Sequence, residues 1–211
     1  YRRLGALFGR KQRAEKLARY AEATLATAAA LRARHPSAPV SVYYARGPHG
    51  LESAVGDSIH TEVLRLVGAR SVTADVAGQG LRTFRLEDLG SFDPAIIVAA
   101  SFEVRDHIAE SPRWAGLAAV KTNRIVVPPA HPFGWFDQPP SVNRLLGIHW
   151  MAAVLEGAGD GTGGGFDPDA PGGPPLVDKA IEFFDLFYQT RVSREVMVGL
   201  LAGRTSAPAA P

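Results

Sequence analysis

Residues 95–127 read AIIVAASFEVRDHIAESPRWAGLAAVKTNRIVV. The opening run, Ala95 to Ala100, has no polar side chain, so neither face of a strand built from it can meet water. That is the pattern of a parallel strand covered on both sides. A helix over Phe102 to Glu110 follows, and RIVV (Arg124 to Val127) returns as a second apolar strand. Strands that alternate with helices in this way predict a layered α/β arrangement, in which ligands sit beyond the carboxyl ends of the strands.

Upstream, PVSVYYAR (Pro39 to Arg46) is β-branched and aromatic, is bounded by HPSA and GPHG, and reads as another buried strand. Its exit loop carries Arg46, Gly47 and His49. GDSIHTEVLRLVGA (Gly56 to Ala69) places Ile59, Val63, Leu64 and Val67 on one helix face and stops at Gly68. SVTADV (Ser71 to Val76) is a short strand candidate. GQGLRTFRLEDLGSFDP (Gly78 to Pro94) reads as a glycine-rich loop with a helical turn around Leu86 to Leu89. From Phe8 to Arg34 there is no proline and no glycine beyond Gly9, and Leu17, Ala21, Leu25, Ala28 and Leu31 recur at spacings of three and four. A helix of that length spans about 40 Å, more than one compact domain of this size needs internally. His35-Pro36 ends it.

Downstream, Ser141 to Leu155 predicts a helix with Leu145, Leu146, His149 and Ala153 on one side. GAGDGTGGGFDPDAPGGPP (Gly157 to Pro175) is a low-complexity insertion; it follows a helix rather than a strand, so its glycines fail as a nucleotide loop. Two amphipathic helices close the chain, over Asp178 to Thr190 and Ser193 to Gly203, before a tail expected to be disordered.

The chain has 211 residues, 46% hydrophobic and 21% charged, enough for a substantial core. Its net charge of +2 hides a basic amino end: residues 1–34 hold nine Lys/Arg against two acids, and residues 35–211 hold fourteen against nineteen. The basic stretch lacks the glycines, exposed aromatics or reading motif that a nucleic-acid surface would add. The absence of cysteine excludes disulfides, Cys-ligated zinc, iron–sulfur clusters and thiol catalysis. No apolar run approaches the roughly 20 residues of a membrane span. The chain opens with Tyr1 and lacks an apolar leader segment, so it reads as entered midway.

The chemically rich stretch is HPFGWFDQPPSVNRLLGIHW, His131 to Trp150. Catalysis is poorly supported: there is no G-x-S-x-G elbow, H-E-x-x-H, P-loop or strand-turn-helix G-x-G-x-x-G, and Ser53, Ser58 and Ser101 carry no local signature. His131, Asp137 and His149 are donor types for a metal, but their spacing fits no ligand template. His149, on the inward side of its helix, reads as a core residue. A pocket wall fits better: Trp135 and Phe136 follow a strand end in a loop stiffened by Pro129, Pro132, Pro139 and Pro140. Arg46 and Gln138 could orient an anionic or carbonyl-rich ligand.

In their order and spacing, PFGWFDQPPSVNRLLGIHWMA, the preceding AAVKTNRIVVPP and LEDLGSFDPAIIVAA, YYARGPHGLESAVGDSIHTEVLRLVGA and the closing FFDLFYQTRVSREVMVGLL together resemble the substrate-binding proteins of bacterial ABC importers for iron-siderophores, haem and cobalamin. The resemblance is to their carboxyl-terminal lobe, a Rossmann-like α/β lobe with a mostly parallel central sheet flanked by helices. It implies an interlobe spine helix over residues 1–36, the lobe over 37–204, a tail over 205–211, and an amino-terminal lobe absent from this chain. It puts Tyr44, Arg46, Leu81, His131, Trp135, Phe136 and Gln138 at the ligand cleft; the aliphatic Leu81 weighs against a flat macrocycle. Glu87 resembles the family's carboxylate that docks the lobe onto permease arginines. The implied protein is an extracytoplasmic monomer, with a lipid anchor left open. It binds a small-molecule ferric chelate, delivers it to an ABC permease, and uses no cofactor and no nucleic acid. The alternatives are an oxyanion such as molybdate, cobalamin or haem as ligand, or a hydrolase- or transferase-like enzyme using His131 and Asp137 as acid and base.

Overall fold

The computed structural model describes residues 1–34, 39–158, 167 and 173–203. A short helix, α1 (Arg2–Leu7), turns back onto a long one, α2 (Lys11–Arg34). The predicted helix start at Phe8 is therefore corrected. Gly9 takes φ +65°, a left-handed conformation that costs glycine little, and breaks the helix there. Gly5 lets the two helices touch, since a Cβ on it would lie 2.2 Å from that of Ala14. Helix α2, 24 residues or about 36 Å long, packs along Ala14, Ala18, Thr24, Ala28 and Leu31. Leu25, placed by periodicity in the stripe, faces outward, because the small alanines allow a closer approach on the adjoining face.

The chain then runs through β1 (Ser41–Ala45), β2 (Glu52–Val55), a single 3-10 turn at Ile59–Thr61, α3 (Glu62–Leu66), β3 (Arg70–Ser71), β4 (Gly80–Thr83), α4 (Leu86–Phe92), β5 (Ile96–Ala99), α5 (Phe102–Glu110), α6 (Ala118–Lys121), β6 (Ile125–Val126), α7 (Arg144–Ala153), α8 (Gly173–Phe183) and α9 (Arg194–Leu201). Among the described residues, the central sheet has four parallel strands in the order β3-β1-β5-β6. Val42 pairs with Ile96 and Tyr44 with Val98. The period of two then sorts the side chains: Val42, Tyr44, Ile96 and Val98 enter a core shared with α2, α3, α7, α8 and α9. Tyr43, Ala45, Ile97 and Ala99 enter a second core under α4, α5 and α6. Each strand feeds two cores, which is why AIIVAA contains nothing polar. The α/β class with a mostly parallel sheet flanked by helices is the observed one.

Two readings change. β2 and β4 pair antiparallel, with Ala54 opposite Leu81, in a ribbon beside the main sheet, and β4 falls where a glycine-rich loop was expected. Only Arg70 and Ser71 of the SVTADV region form strand. The ribbon is short and largely exposed along β4, so it lacks the apolar run that marks a central strand. Most of the glycine-rich insertion and the tail lie outside the described residues, as does His35-Pro36.

Candidate functional site

Strand β1 ends at Ala45, and the backbone of Arg46 continues the pairing: its N–H donates to the Glu52 carbonyl at 2.8 Å and its carbonyl accepts from Glu52 N–H at 3.0 Å. The base of the Arg46 side chain is thereby held at the carboxyl end of the sheet. From the end of β6 the chain enters the loop 127–143, a tightly tied knot. Trp135 N–H donates to the Pro129 carbonyl at 3.0 Å, Gly134 N–H to the Gln138 carbonyl at 2.9 Å, and the Trp135 indole N–H to the His131 carbonyl at 2.9 Å. The amide of buried Asn143 donates to the Phe133 carbonyl, and its oxygen accepts from the Tyr188 hydroxyl at 2.7 Å. The bonds His131-Pro132 and Gln138-Pro139 are cis. Two glycines make the knot possible: a Cβ on Gly134 would sit 2.5 Å from the Gln138 oxygen, and one on Gly147 2.1 Å from the Trp135 oxygen.

This geometry corrects the aromatic wall. Trp135 and Phe136 are 0% and 1% exposed and belong to the core shared with α2, α7 and α8. Phe136 packs on Tyr44 with ring centres 4.9 Å apart and meets Trp150 edge-on at 6.2 Å. Burying each ring is worth about 2–3 kcal/mol, and the loop turns inward to collect it. Tyr44 is also enclosed, so these three residues support the site from beneath.

Between those rings and the surface lies Asp137, with a side chain 1% exposed. It accepts from the Tyr44 hydroxyl at 3.2 Å and from His60 Nδ1 at 2.5 Å, and Arg46 Nη1 lies 3.1 Å from its second oxygen. Burial, and then the Asp137 charge, push the Tyr44 hydroxyl far above the ordinary tyrosine range, so it stays a donor. A carboxylate only accepts, so His60 Nδ1 is the donor in its bond to Asp137. The Arg46 contact is a charge pair rather than a hydrogen bond, and both its Nε and Nη1 lack a hydrogen-bond acceptor. Its side chain is 15% exposed, and its guanidinium lies 5.7 Å from the centre of the Tyr44 ring.

Of the sequence-derived residues, the structure brings Tyr44, Arg46, Phe136 and Gln138 together around Asp137, with the Gln138 side chain beside the Tyr44 hydroxyl. Trp135 anchors the loop beneath them. His131 is exposed and contributes its carbonyl to the loop. Its ring is not bonded to Asp137, whose histidine partner is His60, so the enzyme alternative built on His131 and Asp137 gains no contact between them. Leu81 is exposed on β4, and Glu87 is exposed in the first turn of α4. His149 lies on α7 with Nε2 3.0 Å from the Thr24 hydroxyl, and burial pulls its pKa down to about 4, as befits a neutral core histidine. Sequence reasoning missed His60 because it sits on the short 3-10 turn after β2, inside a segment read as one helix. The signal was local: Ser58 caps that turn by accepting from His60 N–H at 3.3 Å.

A surface cavity of about 770 Å³ opens elsewhere, between the end of α2 and α3. Arg32, Arg65 and Arg70 line it, and Arg65 pairs with Asp57 and Arg70 with Asp75. Among the described residues, no group of three or more His, Cys, Asp or Glu converges to hold a metal, and no helix is long and apolar enough to cross a membrane.

The chain is similar in structure to an ABC transporter solute-binding protein from Sulfurospirillum deleyianum, with a TM-score of 0.76 and 29% identity over 94% of this chain and 59% of that one. It is similar in fold to the molybdate periplasmic binding protein of a Haemophilus influenzae ABC transporter, solved with molybdate bound, with a TM-score of 0.66, 22% identity and coverage of 91% and 55%. It is likewise similar in fold to a protein of an ABC-type Fe3+-hydroxamate transport system from Saccharomonospora viridis, with a TM-score of 0.55, 23% identity and coverage of 73% and 53%. The chain thus spans less than two thirds of the length of these relatives. No curated protein matches its sequence. A family model described as periplasmic binding protein matches residues 1–132, well over half of the chain, and the parallel sheet flanked by helices agrees with it: the chain belongs to the periplasmic binding protein family.

Proposed function

We propose that this chain is the carboxyl-terminal lobe and interlobe spine of an extracytoplasmic solute-binding protein that captures an anionic ferric chelate and hands it to an ABC permease, without turning it over. One observation carries the reading. Arg46 is fixed at the carboxyl end of β1 beside a buried carboxylate, and its side chain, 15% exposed, brings the cation to the surface there. A cation held in place before the ligand arrives costs little to organise on binding. His60 is held by the same carboxylate through Nδ1, and Gln138 adds an amide at the surface.

The burial of Trp135 and Phe136 favours a second reading within the same class. With those rings inside the lobe, the groups around Asp137 that reach the surface are polar, which suits a compact oxyanion as well as the charged centre of a chelate. Glu87, exposed on α4, is the proposed permease-docking carboxylate.

The test is a titration followed by tryptophan fluorescence, on the protein with its amino-terminal lobe, against ferric hydroxamates, ferric catecholates, ferric citrate, molybdate, haem and cobalamin. Saturable quenching by an anionic iron complex, lost in Arg46→Met, is expected. Binding of molybdate alone would replace the chelate with the oxyanion. Silence across the whole panel overturns the binding role as stated.

A further inference from the structure

We propose that His49 and His107 form a site for a divalent late first-row transition metal ion such as Zn2+, Ni2+ or Cu2+, separate from the Asp137 cluster. His49 lies in the turn after β1 and His107 on α5, both exposed. Their ring centres are 5.1 Å apart with the planes at 53°. Two imidazoles on one tetrahedral ion, with metal–nitrogen bonds of about 2.0 Å and ring centres about 1.1 Å further on, place those centres about 5 Å apart.

The pair is held in place before any ion arrives. The turn carrying His49 closes through Gly50 N–H donating to the Gly47 carbonyl at 3.1 Å, and the Tyr43 hydroxyl donates to the Gly50 carbonyl at 3.1 Å. Gly50 lies so close to α5 that a Cβ there would be 2.8 Å from Ile108 Cδ1. The backbone under His49 is therefore clamped to the helix that carries His107, and chelation needs only side-chain rotation. A cavity of about 250 Å³ opens beside both rings, bounded by Ser111, Arg113 and Trp114. It leaves room for the waters that complete the coordination. Arg113 opposes a cation, but Glu103 and Glu110 lie four residues before and three after His107, on its face of α5, and offset that charge. Imidazole donors without thiolates select zinc, nickel and copper over magnesium and calcium, with copper the tightest. Metal occupancy would tie α5 to the turn three residues beyond Arg46.

The experiment uses the full chain, with Zn2+ and Ni2+ titrated by calorimetry and Cu2+ followed by the broadening of assigned histidine Cε1–H resonances. One ion per chain is expected, with the His49 and His107 resonances broadening together at the lowest Cu2+ additions. His49→Ala and His107→Ala should each weaken binding by about tenfold or more, because the second donor is no longer held at high effective concentration. The double variant should be no weaker than either single one, since either loss already abolishes chelation. Both positions are exposed, and circular dichroism verifies that the variants fold. Unchanged affinity in either single variant, or first broadening at His60 or His131 with His49 and His107 unaffected, overturns the site.

Discussion

Replacing Asp137 with asparagine keeps the shape of the side chain and removes its charge, which makes it the sharpest test of how the strand-end cluster is built. The carboxylate is buried and faces the Tyr44 hydroxyl at 3.2 Å, His60 Nδ1 at 2.5 Å and Arg46 Nη1 at 3.1 Å. An amide presents one acceptor oxygen instead of two, so a donor meets an NH2 group. Losing a charge-assisted hydrogen bond costs about 1.5–3 kcal/mol, and stranding a buried cation costs about 3–5 kcal/mol. The second figure is discounted here, because Arg46 reaches solvent and its contact lacks hydrogen-bond alignment. A total near 3 kcal/mol results, or a fall in melting temperature of roughly 6–12 °C for a chain of this size. The assay is urea unfolding followed by far-ultraviolet circular dichroism, run as a double-mutant cycle with Arg46→Met. If the two charges are coupled, Arg46→Met should be less harmful, or even beneficial, in the Asp137→Asn background. A loss below about 1 kcal/mol for Asp137→Asn, or strict additivity in the cycle, would refute the coupled cluster.

Three further outcomes are expected. Gly147→Ala, which in an ordinary helix interior gains about 1 kcal/mol, should here destabilise by several, since its Cβ would lie 2.1 Å from the Trp135 oxygen; thermal melting gives the sign directly. His149 has its pKa lowered from 6.5 to about 4 by burial and then by the Lys179 charge, so the unfolded chain binds the proton more readily. The stability tied to its neutral form is complete above pH 6.5 and declines as pH falls toward 4, by an amount on the order of 3 kcal/mol; His149→Gln should flatten that part of the stability–pH curve. Glu87→Arg should leave ligand affinity intact and abolish import in a transport assay, whereas a loss of affinity would move Glu87 from the docking face to the cleft.

The layered α/β fold was readable because its cause is local. Every second residue of β1 and β5 enters a different core, so both strands had to be apolar throughout, and that pattern survives in one dimension. The long helix α2 was legible for a similar reason, in a stretch free of proline and glycine. The ribbon of β2 and β4 was not legible: it is short and half exposed, and its pairing joins residues about thirty apart.

For the site, residue chemistry singled out Arg46 and Gln138, and the structure sets both beside Asp137 at the strand ends. The stretch HPFGWFDQPP was rich in aromatics and prolines, and that composition alone marked it as a structured loop. Which of its side chains point inward depends on Gly134 and Gly147 allowing the loop to fold onto α7, on Asn143 tying it to Tyr188, and on the space left under β1. Those are contacts between distant segments, and no local pattern encodes them. They sent Trp135 and Phe136 into the core, left Gln138 at the surface, and turned Asp137, in sequence merely one acid beside a glutamine, into the buried centre that aligns Tyr44, Arg46 and His60. Local chemistry chose the strands and the charged residue at their end; only tertiary packing chose the carboxylate that holds it.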